Sequence, residues 1–294
     1  MIACAKACCW TCQAVYCGSC NSVRKRRRSE VECISFSQEE KKKVWEGAYT
    51  VHAYEVGTRI TALLTIVWNY LQDSAWHHAR NLRLGYEALI RENKNWVLAR
   101  LSIEMDRYPL WGETVTVRTW PKGTHRLFAL RDFEIVDGSG NRIGAAASVW
   151  LILDTQSKRP QRPEPYFESM PLVPDRHAIG SFPEKLPPVE HVHRESVFRV
   201  RYTDLDMHNH VNSAKYIEWV LNGYSEEEHE RRMISAIQIH FIAEALYGDE
   251  IRMKMERADG GGYVFAHSAQ NVARGNEIFR ARVRWTAAQT REAK

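Results

Sequence analysis

Apolar positions along this chain switch between two periods, and the switches mark out its elements. Residues 44–56 (VWEGAYTVHAYEV) are rich in Val, Tyr and Trp and read as a strand. Residues 59–79 then carry Ile60, Leu63, Leu64, Val67, Leu71 and Ala75 at helical spacing, which predicts a long helix with one apolar face. Four β-rich runs follow, NWVLARLSIEMDRY, ETVTVRTW, HRLFALRDFEIV and AASVWLILD, divided by WG, KG and DGSGN turn signals. A strand, a long helix and then an antiparallel meander make an α+β unit whose sheet wraps its helix.

The second half repeats that order. FRVRYTD (198–204) reads as a strand, VNSAKYIEWVLNGY (211–224) as a helix, and ISAIQIHFIAEAL, DEIRMKMERA, YVFAHSAQNV and IFRARVRWTA as strands. Individual residues recur as well. Tyr54 and Trp68 align with Tyr202 and Tyr216 at an offset of 148, and Trp111-Gly112-Glu113 with Tyr247-Gly248-Asp249 at 136. Gly140-Asn141 aligns with Gly275-Asn276, and Trp150 with Trp285, at 135. Three matches in order argue for internal duplication. Eight of the ten prolines fall within residues 160–188, which excludes a helix interior or central strand and predicts an extended crossing linker. The expected organisation is a leader at 1–40, a first unit at 41–158, a linker at 159–194 and a second unit at 195–290. Open sheet edges seek partners, so the two units are expected to join edge to edge.

Composition changes little until the charges are located. The 294 residues are 44% hydrophobic and 26% charged, as in a globular chain with a sizeable core. No apolar run approaches the roughly 18–20 residues that span a bilayer. A net charge of +5 would suggest an acidic partner such as nucleic acid. Residues 1–30 account for all of it, through Lys6 and the Arg24–Arg28 run against Glu30, so the remaining residues sum to zero and a nucleic-acid partner is not expected. All seven cysteines, from Cys4 to Cys33, also lie in the leader. Its Cys9/Cys12 and Cys17/Cys20 pairs are too close together for an ordinary zinc ribbon, and it has no secretory apolar core. The leader is expected to be a disordered extension, with a metal or redox site or a targeting segment as alternatives. The cysteine-free body needs no disulfide and suits a reducing compartment.

The two copies part sharply at the strand-to-helix junction. Copy two gathers Asp204, Asp206, His208, His210 and Asn212, against Val56, Thr58, Ile60, Ala62 and Leu64 at an offset of 148. Alternate residues of an extended segment share a face. A carboxylate beside imidazoles, ahead of a helix N-terminus, suits water activation and oxyanion stabilisation. The same residues also read as turn and cap, with Asn209 or Asn212 capping the helix. A metal reading lacks an obvious fourth ligand.

RYTDLDMHNHVNSAKYIEWVL resembles the signature of the acyl-ACP thioesterases of plastids and bacteria. NYLQDSAWHHA, NWVLARLSIEMDRYPLWGETVTVRTWP, RDFEIVDGSGNRIGAAASVWLILD and the Tyr247-Gly248-Asp249 turn follow the same family in order, over about residues 44–288. The resemblance implies an α+β double hotdog, and hydrolysis of the thioester between a fatty acyl chain and the phosphopantetheine arm of acyl carrier protein, with no cofactor or metal. It implies Asp206 as nucleophile or water-orienting base, His210 as the catalytic histidine, and Glu244 orienting water or His210. Copy one has Tyr108 at the position of Glu244. His208 stands where the plant enzymes carry Asn, and is kept as a candidate donor. Ala245 stands where they carry Cys, so a thiolate route is excluded for this chain.

Copy one is expected to form much of the acyl tunnel, with Leu63, Val67 and Leu71 as candidate walls or plain core. Lys158, Arg159 and Arg162 are candidates for docking acidic acyl carrier protein. An acyl-CoA thioesterase and a non-catalytic acyl-binding protein remain alternatives, as does a homodimer. A bacterial cytoplasm is favoured over a plastid stroma. A chain beginning at about residue 40 is expected to keep full turnover of acyl-ACP. A fall in that turnover would give the leader a role.

Overall fold

The structure, a computed structural model, describes residues 40–180, 182–258 and 263–287, so all of the leader but Glu40 lies outside the described residues. The first half runs β1 (Trp45–Thr50), α1 (Leu64–Asn81), α2 (Tyr86–Ile90), β2 (Lys94–Met105), β3 (Thr114–His125), β4 (Phe128–Val136) and β5 (Arg142–Asp154). The proline-rich stretch holds β6 (Pro160–Gln161) and α3 (Glu164–Phe167) and is otherwise irregular. The second half runs β7 (Arg194–Arg199), α4 (Ser213–Leu221), α5 (Glu226–Arg231), β8 (Arg232–Phe241), β9 (Glu250–Arg257), β10 (Val264–Asn271) and β11 (Glu277–Ala287).

The strands form one antiparallel sheet in the order β1-β3-β4-β5-β2-β8-β11-β10-β9-β7, with β6 pairing β5. The order is the same read from either end. The halves meet edge to edge where β2 pairs β8, from Arg100 opposite His240 to Glu104 opposite Ala236. Each half curls its sheet around its own helix, giving the expected α+β double hotdog. Trp68 on α1 is fully buried, and its indole N–H donates to Ser213 Oγ at 2.8 Å. Ser213 in turn donates to Gln72 Oε1 at 2.8 Å, which ties α4 to α1.

Duplication extends to single hydrogen bonds. Gly112 N–H donates to the Val51 carbonyl and Gly248 N–H to the Val200 carbonyl, at 2.9 and 3.1 Å. Both glycines take a left-handed φ, 77° and 80°, which a side chain would strain.

Several expected boundaries move. The helix begins at Leu64 rather than 59, because Ile60 is left-handed and Thr61 bridges to Leu110. The run at 44–56 ends as a strand at Thr50 and turns into a single 3-10 turn, Ala53–Glu55. KG does not divide two strands: β3 runs through Pro121 and Gly123 with a bulge there, and the turn falls later, at left-handed Arg126. The run read as a strand at 198–204 stops at Arg199 and becomes the 3-10 turn Tyr202–Asp204. Helix α5 was not anticipated, although Ser225 and Glu228 form a capping box at its start.

The linker lies on the outer face of the sheet. Asp132 accepts the Ala178 N–H at 2.9 Å, and the Arg176 guanidinium sits 4.0 Å from the Trp120 ring. Arg280 donates to the Leu186 carbonyl at 2.7 Å, so the same strap reaches both halves.

Two buried histidines tie the stability of this fold to pH. His78 Nε2 donates to the Lys42 carbonyl at 2.8 Å, while its Nδ1 accepts from Arg131 at 3.0 Å. Burial first, then the Arg131 charge, pushes His78 down to about 3. His267 meets the Tyr224 hydroxyl at 2.7 Å and is likewise pushed down, mainly by burial, to about 3. Both are neutral when folded, whereas the unfolded chain binds protons below about 6.5. Their contribution is therefore complete above that pH and lost as pH falls toward 3. Urea denaturation at pH 7 and pH 5 is expected to show a loss of about 2 kcal/mol per buried histidine. His267→Gln should reduce the loss by that amount; an unchanged loss would put its origin elsewhere.

Candidate active site

The segment after β7 builds a tight turn, not an extended run. Asp206 N–H donates to the His210 carbonyl at 2.8 Å, and Asn209 N–H donates back to the Asp206 carbonyl at 3.1 Å. Asp206 Oδ1 accepts the backbone N–H groups of His208 and His210, at 2.8 and 3.3 Å. Asn209 closes the turn at φ 61°, a conformation Asn tolerates better than most side chains. The expectation that five alternate residues share one face therefore fails. Asp204 instead accepts the Arg201 N–H at 2.8 Å in a capping box, and Asn212 caps α4 by accepting the Ala214 N–H at 2.9 Å.

Hydrogen bonds also correct the alignment of the copies here. Gly57 N–H to Thr61 and Leu63 N–H to Glu55 repeat Asp206 N–H to His210 and Asn212 N–H to Asp204, an offset of 149. The counterparts of Asp206, His208 and His210 are thus Gly57, Arg59 and Thr61, not Thr58, Ile60 and Ala62. Copy one does keep one acid, since Glu55 matches Asp204 in a second capping box. The Asp206–His210 pair itself has no counterpart in copy one.

His210 bridges to Leu246 across the strand gap, as Thr61 bridges to Leu110. That pairing brings Glu244 alongside, with His210 Nε2 3.2 Å from Glu244 Oε2. Glu244 is about half exposed and His210 a third, so the pair borders solvent. His208 turns toward the first half, its ring 5.3 Å from that of Tyr86 on α2. The Tyr216 hydroxyl accepts the Ala245 N–H at 3.4 Å, and burial pushes that phenol well above its ordinary range.

Asp206, His208, His210 and Glu244 all border one cavity of about 1330 Å³. It continues between α1 and α2 and the inner face of β2, β5 and β4, against Ala75, Leu82, Leu98, Ala129 and Trp150. The three residues proposed as tunnel walls do not line it. Val67 and Leu71 are buried core, and Leu63 is the partly exposed N-cap residue of α1. The cavity takes the neighbouring face of α1 instead, which carries Asn69, Gln72, Ala75, Trp76 and Ala79. Lys158 lies at the cavity wall, while Arg159 and Arg162 do not.

Substitutions between the copies explain why the void is in the first half. In the second, Tyr224 presses edge-on against Trp285, Phe265 and His267, with ring centroids 4.7–5.5 Å away. Counted at the helix offset, Ala75 stands in line with Tyr224, and Trp150 with Trp285. The strand registers place Arg131, opposite Ser148, where the second half has Phe265, opposite Val283. The alternation in HRLFALRDFEIV puts Arg131 on the helix-facing side with Ala129 and Phe133. The same alternation marks Arg131 in the sequence as a charged residue at an inward position.

Two family models match the chain: the acyl-ACP thioesterase N-terminal domain over residues 42–168 and the C-terminal domain over 189–287. A chloroplastic palmitoyl-acyl carrier protein thioesterase of Cuphea hookeriana is 28% identical over 82% of this chain and 62% of its own length. An oleoyl-acyl carrier protein thioesterase of Arabidopsis thaliana, also chloroplastic, is 28% identical over 83% of this chain and 77% of its own. The chain thus spans under two thirds of the first of these. In fold it is similar to an acyl-ACP thioesterase of Bacteroides thetaiotaomicron, with TM-score 0.74, 24% identity, and 85% and 100% of the two chains covered. It is also similar to a 12:0-ACP thioesterase of Umbellularia californica, with TM-score 0.71, 23% identity, and 84% and 98% covered.

The left-handed turn at Asn209 gives a direct test of this local geometry. Asn209→Gly is expected to leave the urea midpoint nearly unchanged, whereas Asn209→Val should cost about 1–2 kcal/mol. Equal midpoints for the two variants would mean that the turn is not held in this conformation.

Proposed function

The chain belongs to the acyl-ACP thioesterase family, and from that premise we propose that it hydrolyses fatty acyl-ACP to free fatty acid and acyl carrier protein. The observation that carries the proposal is the placement of Asp206, His210 and Glu244 at one end of a cavity that continues into the other half of the molecule. The acyl chain would lie in the first half, its thioester at the turn in the second, with the phosphopantetheine arm reaching in from solvent.

Asp206 is the proposed nucleophile or base. One carboxylate oxygen is held by two backbone N–H groups, and the other carries no hydrogen bond among the described residues. That oxygen accepts a proton from water as the water adds to the thioester carbonyl, or attacks the carbonyl itself. His210, held by Glu244, donates toward the carbonyl oxygen or passes a proton to the departing sulfur. The N-terminus of α4 opens on the same cavity through Asn212 and Ser213, and its dipole favours the charge that develops on the carbonyl oxygen. No cysteine follows Cys33, so no thiol in the family domains can act as nucleophile. His208 has a positioning role against Tyr86, which ties the turn to α2. The reaction belongs to fatty acid biosynthesis, in whichever compartment holds acyl carrier protein. We favour a bacterial cytoplasm, with a plastid stroma as the alternative that the chloroplastic relatives support.

Purified protein incubated with acyl-ACPs of several chain lengths should release free fatty acid. Asp206→Asn is expected to lower kcat by about 10²–10⁴-fold with little change in KM, and His210→Asn to act in the same sense. Release that survives Asp206→Asn unchanged would remove this site from the reaction. Matched acyl-CoA substrates should be turned over more slowly, and faster turnover would reassign the carrier.

A further inference from the structure

Arg131 is out of place in the wall of a cavity meant only for hydrocarbon. It projects from β4 under α1, where its Nη1 donates to His78 Nδ1 at 3.0 Å and to Thr119 Oγ1 at 3.2 Å. Both partners are neutral, and no carboxylate lies within 4.0 Å of it among the described residues. Its Nε and Nη2 carry no hydrogen bond among the described residues. Arg131 is deeply enclosed, with burial pushing the guanidinium down to about 10, yet it keeps accessible surface at the cavity wall that it helps to form.

An enclosed guanidinium without a counter-charge carries a large desolvation cost, and an acceptor from a ligand would offset it. The other half of the molecule shows the hydrocarbon alternative, because the matching strand position there is Phe265. Beside Arg131 the lining has Pro121, its partner on β3, and Ala129, two residues away on the same face of β4. Three strand spacings separate β8, beside the proposed chemistry, from β4, a distance of about 14 Å. An extended chain of roughly eleven carbons covers that span, with C–C bonds of about 1.5 Å.

We propose that Arg131 forms a polar end-subsite of the acyl cavity, selecting medium-length acyl chains whose distal end carries an oxygen acceptor, a hydroxyl or a carboxylate. The selection operates on the thioester hydrolysis read above and rests on that reading. Chains too short to reach β4 are indifferent to Arg131, and a chain of full reach with a methyl end leaves the guanidinium unpaired.

The test compares dodecanoyl-, ω-hydroxydodecanoyl- and ω-carboxydodecanoyl-ACP, with hexanoyl-ACP as the short control. Wild-type kcat/KM should favour the two oxygenated chains over dodecanoyl by about tenfold or more, the worth of one charge-assisted hydrogen bond. Arg131→Met should abolish that preference and leave hexanoyl-ACP turnover within about twofold, while Arg131→Lys should keep part of the preference for the carboxylate. Equal wild-type rates on the three long substrates would overturn the proposal, as would a preference that persists in Arg131→Met. If that variant fails to fold, the wild-type comparison still decides. A second readout does not need hydrolysis, because Trp76, Trp96 and Trp150 line the cavity. Quenching of their fluorescence should show monomethyl dodecanedioate binding more tightly than methyl dodecanoate. Absence of acyl-ACP hydrolysis together with this difference would refute the enzymatic reading alone, and hydrolysis without it would refute the end-subsite alone.

Discussion

The pairing of β2 with β8 is the contact on which the rest of this molecule depends. It satisfies the open edges of two sheets at once, from Arg100 opposite His240 to Glu104 opposite Ala236, and makes one sheet out of two. A single small sheet wrapped on one helix must fill its own interior. Two fused sheets can divide the work, since one half can be packed solid while the other is left open. The hydrogen-bonded link from Trp68 through Ser213 to Gln72 adds a second tie on the helix side, beside the cavity.

The division is visible residue by residue. Tyr216, Trp219, Phe241 and Phe279 pack together in the second half, with ring centroids 4.9–6.5 Å apart across this cluster and Phe198. Opposite Met105 the first half has Gly144, where a Cβ would approach the Met105 sulfur to 2.6 Å. The closer exchange for function is Ala75 in line with Tyr224, which removes the ring that would otherwise fill the space beneath Trp150. The half that kept its aromatic packing is also the half with Asp206 and His210. A rigid, filled interior holds the turn, and an emptied one receives the chain.

Much of this was legible in the sequence. The duplication, the edge-to-edge joining and the wrapped helices all follow from periodicity and from pairs such as Gly112 and Gly248, whose roles depend on local backbone conformation. At the junction of Asp206 a similarity in type, Tyr54 with Tyr202, hides the backbone equivalence of the copies. Both tyrosines are about 80% exposed, so packing places no constraint on either and they sit one position out of register. The hydrogen bonds that set the true offset of 149 are made by backbone atoms, which leave no mark in side-chain identity. The cavity walls failed to show for a related reason. Val67 and Leu71 mark the apolar stripe of α1, which packs against the core, and Leu63 is the N-cap residue ahead of it. A cavity takes the less apolar flank beside it, where Asn69, Gln72 and Trp76 stand.

Cysteine usage and the fate of position 245 bear on the same chemistry. Ala245 is fully buried, and its N–H is held by Tyr216, itself enclosed by the aromatic cluster. A thiol there would sit in apolar surroundings, where burial disfavours the thiolate that nucleophilic attack requires. Asp206 has a different setting, bordering the cavity with one oxygen held by two backbone donors in a turn closed by Asn209. Of the two positions, the turn suits a carboxylate and the buried strand suits a small apolar side chain. Each carries the residue its surroundings favour.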